Sequence, residues 1–158
     1  KAPVRDNIRD DIWIKLWGNL CFNPISALTG ATLDIVATDT ATRILSRSMM
    51  LEAQAIGELL GVHFRVDVHR RINGAADVGA HKTSMLQDLE ANKPMEIDAL
   101  VTAVQEMGRL VDLETPFIDS VLGLIQQRGK TLGLYPTFSG HDLTSDGNEM
   151  DDKRGLVD

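Results

Sequence analysis

Cysteine is nearly absent from this 158-residue chain, and its one example, Cys21, lies inside an apolar run. A disulfide within the chain and a CxxC zinc site are therefore excluded, and a reducing cytoplasm fits. No uninterrupted apolar stretch approaches the roughly 20 residues needed to span a bilayer, so a membrane role is not expected. Basic residues are scattered in a chain of net charge −7, which leaves no electrostatic footprint for duplex nucleic acid. The four histidines, His63, His69, His81 and His141, form no HExxH and no pair spaced four apart on a helix face, so no metal site is expected. No GxGxxG follows a strand-like segment, and a nucleotide-binding half is missing from the sequence itself. The run GAADVGAHKT (74–83) also fails as a phosphate loop: its Lys-Thr pair comes two residues late for GxxxxGK[ST] and no strand precedes it. The first residues, KAPVRDNIRDD, lack a signal-peptide layout and an initiator Met, which predicts a chain that begins mid-gene or was processed.

What remains is a soluble-type composition, 43% hydrophobic and 25% charged, in a length that suits one folded unit plus a tail. Apolar residues recur at three and four and β-branched alternation is scarce, so the fold class is all-α. A first helix is expected from Asp6 or Asp10 to about Asn23, because Pro24 disfavours helical geometry in the residue before it, and Ile25 to Leu28 can add one more turn. Residues 30–36 read as a weakly patterned connector. Asp39 or Thr40 then caps a long helix closed by Gly61 as a left-handed cap, with Ile44, Leu45, Met49, Leu51, Ala55, Ile56 and Leu59 as its core stripe. Asp67 caps a helix to about Val78, Gly79 breaks it, and a further helix turns Met85, Leu86 and Leu89 inward. After Lys93-Pro94, a periodic helix over 95–111 carries Ile97, Leu100, Val101, Val104 and Leu110 on one side. Thr115 and Pro116 supply a cap and a first helical position for the last helix. Helical structure is thus expected over 1–129, and 130–158 reads as an acidic, flexible tail with six acids and two bases from His141 onward.

The first helix raises the functional question. In IWIKLWGNLCFNP, Lys15, Asn19 and Asn23 interrupt the apolar run at a spacing of four. Each such step turns the helix direction by only about 40°, so the three share a narrow stripe, with Trp13, Leu16, Trp17 and Leu20 roughly opposite. A solvated face would account for them. Asn, however, is a poor helix former used for what its amide can bond, and two in register suggest a bonding surface. Gly18 leaves a bare backbone patch beside the stripe, next to Phe22, where a ligand or another chain could approach. Farther on, TSMLQDLEANKPMEID holds Ser84 and Glu96. Taken alone, these read as an ordinary helix-surface hydroxyl and a dipole-favoured acid in a first helical turn.

Together, KLWGNLCFNPISALTG and SMLQDLEANKPMEID resemble the C-terminal helical domain of the ketopantoate reductase (2-dehydropantoate 2-reductase) family over about residues 6–127. The resemblance implies a bundle like the C-terminal domain of 6-phosphogluconate dehydrogenase-like reductases. It assigns Lys15 and Glu96 to catalysis and Asn19, Asn23 and Ser84 to the substrate, with Asp98 left as structural. It further implies an NADPH-binding N-terminal Rossmann domain in the same polypeptide and reduction of ketopantoate to pantoate, on the route to vitamin B5. Two alternatives stay open at this point: a sister reductase of another 2-oxo acid, and a non-catalytic helical interaction module. A bundle detached from a cofactor domain exposes apolar surface, so a homodimer is expected.

Overall fold

A computed structural model of the chain describes residues 7–137. Among these the fold is helical throughout: α1 (Ile8–Thr29), α2 (Leu33–Thr38), α3 (Thr40–Leu59), α4 (Val68–Ala76), α5 (Ser84–Glu90), a π-helical turn (Asp98–Thr102) continuing into α6 (Ala103–Leu110), and α7 (Pro116–Thr131). None of these helices is long and apolar enough to cross a membrane.

The centre of the bundle is α1, which packs against α2, α3, α5, α7 and the π turn. Its burial changes character along its length. Near the start only a stripe through Trp13 and Trp17 is covered, whereas from Leu20 to Ala27 every residue is buried, as expected of a helix enclosed on all sides. Trp17 is fully buried, donates Nε1–H to the Met50 carbonyl of α3 at 2.6 Å and packs on Phe64 at 4.7 Å between ring centroids. Phe64 in turn sits so close to α3 that a Cβ on Gly57 would stand 2.9 Å from its ring. Asp10 is buried inside the first turn of α1, where its carboxylate accepts the His63 backbone N–H at 3.1 Å and ties the helix to the segment after α3.

Helix α1 does not stop at Asn23. It runs through Pro24 and closes at Gly30, which has φ 71° and donates its N–H to the Ser26 carbonyl. Pro24 forfeits one backbone hydrogen bond. The following turn nonetheless buries Ile25, Ser26 and Ala27, and that tertiary burial outweighs the local preference. The connector 30–36 likewise contains the start of α2, whose Leu33 N–H donates to the His81 carbonyl at 2.8 Å.

Several expected caps are present. Asp39 accepts from Ala41 and Thr42, Asp67 accepts from Arg70, and Gly61 takes φ 81° after α3. The buried face of α3 is rotated from the expected stripe. Ser46, Met49, Met50, Ala53, Ile56 and Gly57 face inward, while Ile44, Leu51 and Leu59 are 61%, 40% and 62% exposed. On α6, Leu110 is 82% exposed instead of inward, because the π turn adds a residue to the register that a regular helix from 95 would keep.

Thr115 occupies the cap position of α7, with Pro116 at its start, yet the Thr115 side chain bonds Asp119 instead of capping. The first free N–H groups of α7, on Phe117 and Ile118, are accepted by Glu52 of α3 at 3.0 and 2.9 Å. The chain also stays ordered past Gly129. Tyr135 packs against that glycine, donates to Asp98 at 2.6 Å and accepts from Gln126 at 3.0 Å. The remainder of the expected acidic tail, 138–158, lies outside the described residues.

Candidate functional site

One face of α1 forms the wall of a cleft of about 310 Å³. Gly18, Asn19, Phe22 and Asn23 come from α1, Arg71 and Ala75 from α4, and Thr83 and Ser84 from the start of α5, with Leu33, Val78 and His81 completing it. The i, i+4 register places both asparagine amides along this wall. Thr83 sets the opposite side: its hydroxyl accepts the Leu86 N–H at 3.3 Å, and buried Met85 and Leu86 hold α5 down. Ser84 then faces Asn23, whose Nδ2 donates to Ser84 Oγ at 3.3 Å.

Three of the five residues singled out from the sequence therefore meet in one cleft: Asn19, Asn23 and Ser84. Asn23 is buried, Asn19 half-buried and Ser84 exposed. Lys15 lies one turn before Asn19 on the same stripe, exposed and outside the cleft lining. Glu96 is also exposed and outside that lining. It stands between buried Met95 and Ile97, just ahead of the π turn that packs on α1. Asp98 accepts from Thr102 and Tyr135, which is a structural use of its carboxylate.

Sequence reasoning missed Arg71. Its guanidinium occupies the bare patch on Gly18, where a Cβ would collide with Nη2 and stand 2.8 Å from Cζ. Burial draws the Arg71 pKa below the usual arginine value, with the Cys21 sulfur opposing that shift, and an arginine remains protonated under such conditions. Its Nε is buried with no hydrogen-bond partner. Among the described residues no Asp or Glu lines the cleft, so this guanidinium biases it toward anions even though the chain is net acidic. The only hint in the sequence was Gly18 itself, a helix-interior glycine next to the amide stripe.

Cys21 lies behind this wall, fully buried, and burial pushes its thiol pKa well up, which makes it a poor nucleophile. Among the described residues no three His, Cys, Asp or Glu side chains gather where they could hold a metal ion. The cleft instead offers amides, hydroxyls and one guanidinium against the apolar sides of Phe22, Leu33, Ala75 and Val78, a donor set matched to a small organic acid.

The chain is similar over most of its length to several known proteins. A 2-dehydropantoate 2-reductase from Mesorhizobium japonicum is 67% identical over 135 residues, covering 85% of this chain and 41% of the relative. Among solved structures, a protein from Ralstonia solanacearum described as a ketopantoate reductase is 44% identical with a TM-score of 0.76, over 81% of this chain and 39% of that one. A dimeric ketopantoate reductase from Staphylococcus aureus is 25% identical with a TM-score of 0.69, over 82% of this chain and 46% of that one. The chain thus spans roughly two fifths of the length of the relatives it matches. Residues 7–129 match the family described as ketopantoate reductase PanE/ApbA C terminal, and the chain belongs to that family.

Proposed function

We propose that this chain is the substrate half of an NADPH-dependent 2-dehydropantoate 2-reductase, working in the cytoplasm with a Rossmann domain of the same polypeptide to reduce ketopantoate to pantoate. The observation that carries the reading is the Asn23–Ser84 hydrogen bond: it joins the two family-like motifs, 61 residues apart, at one cleft that also holds Asn19. Amide and hydroxyl groups bind the carboxylate and hydroxyl oxygens of a small acid without adding net charge, and a substrate lacking those oxygens would leave them buried and unpaired.

A nicotinamide cofactor held by the Rossmann domain would supply the hydride for the carbonyl carbon. Charge then develops on the carbonyl oxygen, and Lys15, next along the asparagine stripe, is the group proposed to stabilise that charge and donate the proton. Glu96 is proposed to orient the Lys15 ammonium or hold the substrate hydroxyl once the second domain closes over α1. The exposed positions of both side chains suit a site completed from outside this bundle. A homodimer fits the same picture, since Ile44, Leu51 and Leu59 leave an apolar strip uncovered on α3.

The test is to place this chain in the corresponding segment of the Mesorhizobium japonicum relative and follow NADPH oxidation with ketopantoate. Turnover should appear, and Lys15→Ala should lower kcat by about 10²- to 10⁴-fold. Unchanged turnover in that variant would defeat the reading, and a strong preference for another 2-oxo acid would replace ketopantoate as the substrate.

A further inference from the structure

We infer that Arg71 anchors the substrate carboxylate, so that the cleft recognises a 2-oxo acid by a full positive charge as well as by its amides and hydroxyls. This rests on the substrate reading above. Four observations support it. The guanidinium lines the cleft together with Asn19, Asn23 and Ser84. Among the described residues no carboxylate lines the cleft to neutralise it. Its Nε is buried and has no partner among the described residues, so no protein acceptor takes up the guanidinium from that edge. Lastly, α1 has Gly18 where any larger residue would push the guanidinium away.

The shape of the group decides what it takes. A guanidinium presents paired N–H donors that match the two oxygens of a carboxylate in a planar, bidentate contact, stronger than neutral hydrogen bonds. With Arg71 sharing the acid end with the Ser84 hydroxyl, the Asn19 and Asn23 amides are free to bind the keto and hydroxyl oxygens, which orders the ligand along the α1 wall.

Ketopantoate and its neutral methyl ester separate this role from a merely structural one. In the full-length reductase carrying this chain, Arg71→Gln should raise the KM for ketopantoate about 10- to 100-fold, the range of a lost charge-assisted hydrogen bond. It should change kcat and the NADPH KM far less and leave the ester's kinetics nearly untouched. Arg71→Lys, which keeps the charge without the fork, should recover part of the loss. Equal losses for acid and ester, or a rise confined to the NADPH KM as for a cofactor phosphate contact, would overturn the assignment. Calorimetry of ketopantoate binding keeps the two readings distinguishable. Arg71-dependent binding of the acid without turnover would sink the reductase and leave the anchor standing, whereas turnover indifferent to Arg71 would do the reverse.

Discussion

Asn23 and Ser84 lie 61 residues apart and share a hydrogen bond of 3.3 Å that closes one side of the cleft between α1 and α5. One partner is buried and the other exposed. The bond is therefore asymmetric: removing Ser84 leaves the Asn23 amide inside the protein with a lost partner, whereas the Ser84 hydroxyl can turn to water. Ser84→Ala should lower stability by about 1–2 kcal/mol and Asn23→Ala by about 0.5–1 kcal/mol through this bond, with a coupling of about 0.5–1.5 kcal/mol in a double-mutant cycle read by urea denaturation. Strict additivity would mean that the contact contributes nothing in solution.

Gly18→Ala sets two effects against each other. Alanine is the better helix former by up to about 1 kcal/mol. The atoms it would meet are the far end of the flexible Arg71 side chain, which can move aside. Thermal stability should accordingly hold or rise slightly, while affinity for ketopantoate falls as it does in Arg71→Gln. A variant that keeps full affinity would show that the guanidinium does not need this seat.

These two positions mark how far the sequence alone could be read. The amide stripe was visible because an i, i+4 spacing fixes a direction on any helix, and the caps at Asp39 and Asp67 were visible because their bonds are local. Ser84 and Glu96 carried no such signal and were assigned through the family resemblance alone. Arg71 carries no local signal within VHRRING; only tertiary packing against Gly18 turns it inward. The same limit explains the fold errors. Six residues are too few for α2 to show helical periodicity, the burial after Pro24 comes from other helices, and Glu52 caps α7 from 65 residues away. The rotated face of α3 has a different origin: apolar residues surround much of that helix, so periodicity could not choose between two neighbouring stripes.

Ser46, in the buried face of α3, holds its hydroxyl in the core with no hydrogen-bond partner. An unsatisfied buried hydroxyl costs on the order of 1–3 kcal/mol. Ser46→Ala removes that cost at little loss of packing and improves helix propensity. The expected outcome is a melting temperature raised by several degrees. A lower one would mean that the hydroxyl finds a partner in solution.

Glu52 joins α3 to the start of α7 by taking the Phe117 and Ile118 N–H groups. Glu52→Ala leaves both donors without that acceptor and should loosen the α3–α7 junction, with faster amide exchange at Phe117 and Ile118 than elsewhere in α7. The charge has a cost of its own. Burial raises the Glu52 pKa above its ordinary 4.5, with the two backbone hydrogen bonds pulling it down and nearby Asp119 adding to the rise. A raised carboxyl pKa means that the folded state holds the proton more tightly than the unfolded chain does. The associated stability is fully present below pH 4.5 and is lost as pH climbs through the folded value. Glu52→Gln keeps an uncharged acceptor and removes this titration, so its stability relative to the parent chain should improve as the pH is raised from about 4 toward neutrality. Denaturation midpoints of the two proteins measured across that range check the slope, and parallel curves would show that burial does not govern this carboxylate.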